Sequence, residues 1–391
     1  MTAPRISLCT YTCNDAPLVH DLLRSVPGWT VRPDEIVVVD DGSKAPFEPE
    51  REAPGLRVVR LAQRQGVTRA KGRGISEARG ELILSLDCDT RIAPDWLAVN
   101  LPNLARSVPQ RKGGPRPVGL VGGALEQAVG EDLVSRYLRL FGDAKSQSHI
   151  GPLDFVPGNA FLIRRAVWEE VGGFSAYAGA DCQDHYLCEL LLSRGYTPFS
   201  DARAKAWVVR RLRRTALCKR VWRECQRAVK GQMLPGDRLV PYLFEVGVRP
   251  MLSRFETSIE GGEPLFLYID LLYLAHLVLD CLDHAVAAGM ASDFVRAGFR
   301  RRLAMLFEGY PRLWERLRAD LDVMGDSVLM PASGDEAAWE DFFLFADMLR
   351  NSGLFQWMER EGLRTLMVED RAGACPAPSW AGAAPGMAPA G

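Results

Sequence analysis

The stretch Glu81-Leu-Ile-Leu-Ser-Leu-Asp-Cys-Asp89 decides the fold prediction for this chain. Its first part, Glu81 to Leu86, is a short apolar run typical of a buried strand, and Gly80 ends the helical pattern before it. The run leads into Asp87 and Asp89, two carboxylates one residue apart that can converge on one cation. Hard oxygen ligands suit Mg²⁺ or Mn²⁺, so the stretch predicts a strand that ends at a metal site.

A second acidic motif follows an earlier run of the same kind. Residues Glu35 to Val39 are largely β-branched and lead into Asp40-Asp41-Gly42-Ser43. A carboxylate there can accept a hydrogen bond from a base imide or a ribose hydroxyl, and Gly42 lets the backbone turn close to a ligand. Alone, each acidic motif is better explained as an ordinary solvated turn. Two acidic motifs that both follow strands favour a ligand site.

Strand-like and helix-like segments alternate along the first half of the chain. This order predicts an α/β, mostly parallel, doubly wound sheet, in which ligands bind beyond the carboxyl ends of the strands. Residues 107–117 are polar and are predicted to be a loop. The other predicted strands are Arg5–Thr10, Leu56–Leu61 and Val118–Leu125, and the predicted helices are Asp15–Ser25, Val67–Ala78, Pro94–Leu104 and Asp184–Arg194.

From about Thr215 the pattern changes to long helical periodicities. The clearest are Leu265–Ala287, Phe294–Phe307 and Trp339–Leu349. Their apolar spacing fits core packing better than a cofactor site. We therefore predict an α/β catalytic domain of residues 1–214, an all-helical domain of residues 215–371, and a disordered tail of residues 372–391 rich in Ala, Pro and Gly.

Composition and charge limit the class of protein. The chain has 391 residues, and its 47% hydrophobic and 25% charged residues are ordinary for a globular protein. A net charge of −1 gives no electrostatic reason to expect nucleic acid as a partner.

The nine cysteines form no CxxC pair, which argues against structural zinc and suits a reducing compartment. Met1–Arg5 shows no signal-peptide pattern, and charges interrupt the apolar stretch Pro264–Met290, so we expect a cytoplasmic protein.

Four blocks, in their order and spacing, resemble family 2 (GT2) glycosyltransferases of the GT-A fold. They are Ile6–Asn14, Glu35–Ser43, Gly66–Gly80 leading into Leu84–Asp89, and Arg164–Phe174 before Gln183-Asp184, and the resemblance covers residues 4 to about 212. It implies transfer of a sugar from a nucleoside diphosphate donor to an acceptor hydroxyl, with inversion and with Mn²⁺ or Mg²⁺ as cofactor. The acceptor class it implies is a glycan, glycolipid or cell-surface polysaccharide.

The resemblance also implies roles for single residues. Asp89 would be the direct metal ligand, and Asp184 the general base that takes the proton from the acceptor hydroxyl. From the residues alone, Asp184 is also a plausible helix N-cap. Asp181 and His185 are candidates to share the acceptor contact, or plain loop and surface residues. The implied donor contacts are Thr10, Tyr11 and Thr12 against the base, Asp41 on the base or ribose, Lys71 where the family usually has Arg, and Asp87 on the ribose or donor sugar.

Three positions depart from the family pattern. Gln183 stands where Glu is usual, Leu190 stands where an Arg often follows, and residues Trp207–Arg210 lack the His that often completes the metal shell. Either water or diphosphate completes the shell, or metal binding is weak. A non-catalytic nucleotide-sugar-binding module therefore stays open as the alternative. A nucleotidylyltransferase is less well supported, because Ile6–Asn14 has neither the Gly nor the basic residue of an activating loop.

Residues Arg203–Lys230 form a basic segment. It fits three interpretations at this stage. The first is a dock for an anionic acceptor at the inner face of a membrane, and the second is contact of one or two arginines with the donor diphosphate. The third is a solvated helix face paired with acids of the helical domain.

Overall fold

The structure is a computed structural model of the chain. It describes residues 4–51, 55–109, 114–127, 130, 132–141, 149–177, 183–218, 249–287, 293–324 and 337–372. Several positions named above lie outside the described residues: Asp181, residues 219–230 of the basic segment, and the tail beyond residue 372.

The first half of the chain forms one mixed sheet. The order of its main path is β3-β2-β1-β4-β9-β7-β10-β5. Neighbours among β1 to β4 are parallel, β9 runs antiparallel to β4 and β7, and β5 runs antiparallel to β10. The strands are β1 (Ile6–Thr12), β2 (Glu35–Asp40), β3 (Leu56–Arg60), β4 (Leu82–Leu86), β5 (Thr90–Ile92), β6 (Ser107–Val108), β7 (Arg116–Gln127), β8 (Ile150–Pro152), β9 (Ala160–Arg164) and β10 (Thr197–Val208).

Helices cover both faces of this sheet, as the predicted doubly wound architecture requires. Leu22 and Trp96 belong to the core on one face, and Ile75 and Trp168 belong to the core on the other. Since both faces are covered, a central strand such as β2 is buried along its whole length, which explains its unbroken apolar run. The helices of this half are α1 (Ala16–Ser25), α2 (Val67–Glu77), α3 (Trp96–Leu104), α4 (Leu133–Phe141), α5 (Arg165–Val171) and α6 (Gln183–Ser193).

The prediction of a loop over residues 107–117 is wrong at both ends of that range. Ser107 and Val108 pair antiparallel with Pro117 and Arg116, so β7 begins two residues before its predicted start at Val118. Polar composition hid this pairing because an edge strand is stabilised by backbone hydrogen bonds and needs no apolar alternation.

The described residues beyond 249 are helices joined by turns. Residues Leu265–Ala275 of α8 are buried almost completely, as expected for a helix that is apolar all round. No helix within the described ranges is long and apolar enough to cross a membrane. The helices are α7 (Arg249–Glu260), α8 (Leu265–Ala287), α9 (Asp293–Leu306), α10 (Pro311–Met324), α11 (Ala337–Asn351), α12 (Leu354–Trp357) and α13 (Leu363–Ala372).

Helix α4 packs with the helical half, although it lies within the range predicted for the first domain. Tyr137 belongs to the core around α8, and its hydroxyl donates to Asp270 Oδ1 at 2.5 Å. Arg136 Nε donates to Glu263 Oε1 at 2.8 Å. The domain limits at residues 214 and 371 stay a prediction, and these contacts attach α4 to the helical core.

Candidate active site

The two acidic motifs and the Thr10–Thr12 segment meet at the carboxyl edge of the parallel strands. β1 lies between β2 and β4, so the residues that end these three strands are neighbours. β10 returns antiparallel to β5, and the Val209 N–H donates to the Asp89 carbonyl at 2.8 Å. This return brings the chain after β10 to the same edge, where open α/β sheets bind ligands.

Asp87 is paired with a lysine from helix α2. Lys71 Nζ lies 2.9 Å from Asp87 Oδ1 and donates to the Gly158 carbonyl at 2.7 Å, and the lysine side chain is only 3% exposed. Burial raises the pKa of Asp87 to about 6, with a further increase from Asp89, while Lys71 pulls this pKa down. The lysine is therefore the group that favours the ionised form of a buried carboxyl.

Asp184, at the start of α6, is held through Gly158. The Gly158 N–H donates to Asp184 Oδ2 at 2.9 Å, and the His185 N–H donates to Asp184 Oδ1 at 3.0 Å. A Cβ on Gly158 would lie 2.9 Å from the Asp184 Cβ, so this approach requires glycine. Gly158 thus joins Lys71 to Asp184. Sequence reasoning missed Gly158; the Pro157-Gly158 pair was the available signal.

His185, which the sequence suggested for the acceptor contact, is exposed, and its ring stacks on the ring of Phe155. The two ring centroids are 3.7 Å apart and the planes are inclined by 9°. A stacked, exposed imidazole next to Asp184 is compatible with an acceptor contact. Its role stays a prediction.

Asp89 is bound by Arg210. This arginine ends the stretch Trp207–Arg210, in which the resemblance would place a histidine. Arg210 Nε donates to Asp89 Oδ2 at 2.7 Å. Two further guanidinium nitrogens donate to Asp15 Oδ1 at 3.1 Å and Asp15 Oδ2 at 2.9 Å. Asp15 occupies the N-cap position of α1 but makes no capping hydrogen bond with its side chain. Sequence reasoning placed Arg210 in the basic segment and missed both Asp15 and this bridge.

These residues fit a cation held jointly with a diphosphate and do not form a metal centre by themselves. Within the described ranges, no group of three or more His, Cys, Asp or Glu side chains gathers as a metal site. Magnesium-like ions often bind one or two carboxylates and complete their shell with substrate phosphates. The local charges favour a cation. Lys71 pairs with Asp87, and Arg210 pairs with Asp15 and Asp89, while Asp184 adds a further negative charge that acts on Asp87.

The predicted base-binding segment is mostly buried. Thr10 and Thr12 are 3% and 1% exposed, and the Thr12 hydroxyl accepts the Asp15 N–H at 3.2 Å. Tyr11 is partly exposed, with Lys71 Nζ lying 5.8 Å from its ring centroid. Burial raises the pKa of Tyr11 well above its usual range, so the phenol stays neutral. Of the three residues, Tyr11 is the one that presents surface.

The carboxylates of the β2 motif bind the chain's own backbone. Asp41 Oδ1 accepts the Gln65 N–H at 2.6 Å, and Asp41 Oδ2 accepts the Gly66 N–H at 2.9 Å. Gly42 has φ +64°, and a Cβ there would lie 2.4 Å from Arg64 N. The close approach that Gly42 permits is therefore to the loop before α2. Nucleotide binding by Asp41 stays a prediction.

Comparison with known proteins gives a family for this region. Residues 7–172 match the family described as Glycosyl transferase family 2. The chain is 34% identical over 85 residues to polypeptide N-acetylgalactosaminyltransferase 12 of Mus musculus, covering 20% of this chain and 14% of that protein. It is 30% identical over 92 residues to the uncharacterized glycosyltransferase YwdF of Bacillus subtilis (strain 168), covering 23% of this chain and 34% of that protein. The matches thus span well under half of either relative.

A similar solved structure is the mannosyltransferase PcManGT from Pyrobaculum calidifontis, in complex with GDP-Man and Mn²⁺. It aligns over 83% of this chain and 86% of that one, with a TM-score of 0.43 and 21% identity. The family match covers residues 7–172 of the 391. The sheet of this region, with helices on both faces, has the α/β architecture that the sequence predicted.

Proposed function

We propose that the protein transfers a sugar from a nucleoside diphosphate donor to an acceptor hydroxyl, with inversion at the anomeric carbon. One observation carries the proposal: Lys71 and Gly158 join Asp87 to Asp184 at the carboxyl edge of the sheet. Asp87, the carboxylate for the donor, and Asp184, the carboxylate for the acceptor, are connected through these two residues. A direct displacement needs the donor and acceptor groups to be held together in this way.

Asp184 acts as the general base in this proposal. Its two oxygens accept N–H bonds from Gly158 and His185, which fix the direction of the carboxylate. The carboxylate takes the proton of the acceptor hydroxyl as that oxygen bonds to the anomeric carbon and the nucleoside diphosphate leaves. Proton transfer of this kind supplies about 10²–10⁴-fold in rate.

The donor side rests on Asp87 and on the end of β1. Lys71 favours the ionised form of Asp87, so this carboxylate can accept hydrogen bonds from hydroxyls of the ribose or the donor sugar. Tyr11 offers a partly exposed ring to the base, whereas its neighbours Thr10 and Thr12 are buried.

Mn²⁺ or Mg²⁺ belongs to the proposal as a ligand of Asp89. The Asp89 side chain is 19% exposed, and the surplus of carboxylates around it favours a divalent cation. When bound with the donor, such an ion neutralises the charge that develops on the leaving diphosphate. Asp89 is the residue of this chain that holds it.

Donor hydrolysis by the purified protein in Mn²⁺ tests the function. We expect slow release of nucleoside diphosphate that Asp89→Asn abolishes, while Asp154→Asn, a change at an exposed loop aspartate, leaves it unchanged. Asp184→Asn should keep nucleotide binding and lose transfer. Tight nucleotide binding without hydrolysis of any sugar donor would instead support the alternative, a non-catalytic binding module.

The acceptor proposal is a hydroxyl of a glycan, glycolipid or cell-surface polysaccharide. Arg211 and Arg213 are exposed in the described part of the basic segment, which supports peripheral contact with anionic lipid at the inner face of the membrane in a cytoplasmic protein. Flotation with liposomes of neutral lipid, with and without phosphatidylserine, tests this contact. Lack of binding at low salt would exclude it.

A further inference from the structure

Arg210 binds the residue proposed to hold the metal. Its Nε is 2.7 Å from Asp89 Oδ2, and its other nitrogens bind both oxygens of Asp15. The Arg210 side chain is 34% exposed, compared with 19% for Asp89 and 31% for Asp15. The positive charge that faces Asp89 in this structure is therefore the guanidinium of the protein's own Arg210.

We propose that Arg210 is an exchangeable counter-ion of Asp89. In the donor-free protein it holds Asp89 and Asp15; when the donor arrives, it yields Asp89 to the divalent cation, and its guanidinium turns to the diphosphate oxygens. The inference rests on the proposed function and deepens it, because it identifies the residue that makes metal binding depend on the nucleotide.

The exchange follows from charge. A guanidinium bonded to Asp89 Oδ2 and a divalent cation on the same carboxylate repel each other, so metal alone must displace the arginine without compensation. A diphosphate carries negative charge that both cations can share. Arginine binds phosphate oxygens with two parallel N–H donors, which offsets the bond it gives up on Asp89.

The geometry limits the movement to one side chain. The Val209 N–H is bonded to the Asp89 carbonyl, so the backbone before Arg210 is fixed beside Asp89. Asp15 gives the guanidinium a second anchor while Asp89 is released. Arg210 can therefore change partners without a rearrangement of the sheet.

Two affinities should change in opposite directions when Arg210 is replaced. Without the arginine, Asp89 and Asp15 face Mn²⁺ with no competing charge, so Mn²⁺ alone binds more tightly. The nucleoside diphosphate loses a charge-assisted contact, so in saturating Mn²⁺ it binds more weakly. Because linkage is reciprocal, the cooperativity between Mn²⁺ and nucleotide that wild type shows must shrink in the variant.

The test measures free Mn²⁺ by electron paramagnetic resonance, with the full chain alone and with UDP or GDP, and measures nucleotide affinity by calorimetry. For Arg210→Ala we expect Mn²⁺ alone to bind about tenfold or more tightly than to wild type, and the nucleotide in Mn²⁺ to bind about tenfold or more weakly. Arg210→Gln keeps a polar side chain of similar length and should give both shifts, so it replaces the alanine variant if that one does not fold. Arg194→Ala, a change at an exposed arginine directly after α6, should give neither.

The outcomes separate this inference from the function it rests on. If both Arg210 variants bind Mn²⁺ as wild type does, or bind the nucleotide as tightly, the exchange is wrong while the transferase proposal stands. If wild type binds none of UDP, GDP, CDP, ADP and dTDP in Mn²⁺, the proposed function fails and the exchange fails with it.

Discussion

The Lys71 ammonium lies 2.9 Å from Asp87 Oδ1, and both side chains are largely removed from solvent. The lysine reaches this position from α2, while Asp87 follows β4 directly. Forming such a buried pair contributes little net stability, but removing one partner leaves an uncompensated charge. The pair therefore both favours the ionised form of Asp87 and makes the site sensitive to loss of the lysine.

Replacing Lys71 by Met should destabilise the protein by about 3–5 kcal/mol, because Asp87 would stay buried without its partner. Nucleotide affinity should fall as well, since Asp87 would then be protonated over more of the pH range. Urea unfolding followed by circular dichroism measures the first effect, and calorimetry with nucleoside diphosphate measures the second.

A matched change at an exposed lysine serves as the control for Lys71. Lys205 is 52% exposed and lies 3.5 Å from Glu126, so Lys205→Met should cost less than about 1 kcal/mol. The double variant Lys71→Met/Asp87→Asn removes both charges and should recover part of the lost stability. Equal losses from the single and double variants would contradict the ion-pair explanation.

Gly158 should be essential for transfer and dispensable for nucleotide binding. A Cβ at this position would lie 2.9 Å from the Asp184 Cβ and 3.2 Å from Asp184 Oδ2, so alanine must push the proposed base away. A displacement of about 1 Å costs roughly 10²-fold in rate. Transfer kinetics with Gly158→Ala should therefore show a drop in kcat of that order, with nucleotide affinity within about twofold.

Gly28→Ala provides the comparison for Gly158, because no atom lies within 4 Å of a Cβ built there and its φ is not positive. It should leave kcat unchanged. Normal turnover in Gly158→Ala would mean that Asp184 is not the base, or that the base tolerates movement.

Much of the sheet could be predicted from the sequence because its signals are local. The β-branched run of β2 and the apolar run of β4 are each buried along their length, and each ends in an acidic motif. The alternation of strands and helices predicted that both motifs lie at carboxyl ends of parallel strands, and β2 and β4 are indeed both parallel to β1, which lies between them. Helix α8 was predicted with the bounds that the structure has, since a long apolar periodicity leaves few alternatives.

The contacts that complete the site could not be predicted, because they join distant parts of the chain. Arg210 and Asp89 are separated by 121 residues, and their contact depends on the antiparallel pairing of β5 with β10. Lys71 and Gly158 are separated by 87 residues. The missing histidine was visible in the sequence, but the bond between the Arg210 guanidinium and Asp89 is a property of the folded chain.

Stability should show a pH dependence that comes from Asp270 in α8. Burial raises the pKa of Asp270 from its ordinary value of 3.8 to about 6, against the lowering effects of Arg254 and Tyr137. Between about pH 4 and pH 6 the folded protein keeps a proton that the unfolded chain has lost. The free energy of unfolding therefore falls as pH rises through this window and stays lower above it.

The difference in the free energy of unfolding between wild type and Asp270→Asn isolates this effect. Asparagine does not ionise, and the contributions of all other titrating groups cancel in the difference. From pH 4 to pH 7 wild type should lose at most about 3 kcal/mol relative to the variant, as measured by urea unfolding at each pH. A difference that stays constant with pH would show that Asp270 does not change its protonation in this range.

Arg214 connects the chain that follows β10 to the helical core, and its loss should destabilise the whole molecule. Its guanidinium donates to both oxygens of Asp320 at 2.9 Å and to Asp370 Oδ1 at 2.6 Å, with the side chain only 6% exposed. Arg214→Met leaves Asp320 buried with fewer partners, so we expect the free energy of unfolding, measured in urea, to fall by about 3–5 kcal/mol.

Arg213, the exposed neighbour, provides the control. Arg213→Met should lower the free energy of unfolding by less than about 0.5 kcal/mol. Arg214→Met/Asp320→Asn removes the unpaired charge and should recover part of the loss. If Arg213→Met and Arg214→Met unfold at the same urea concentration, these ion pairs do not hold the two halves together.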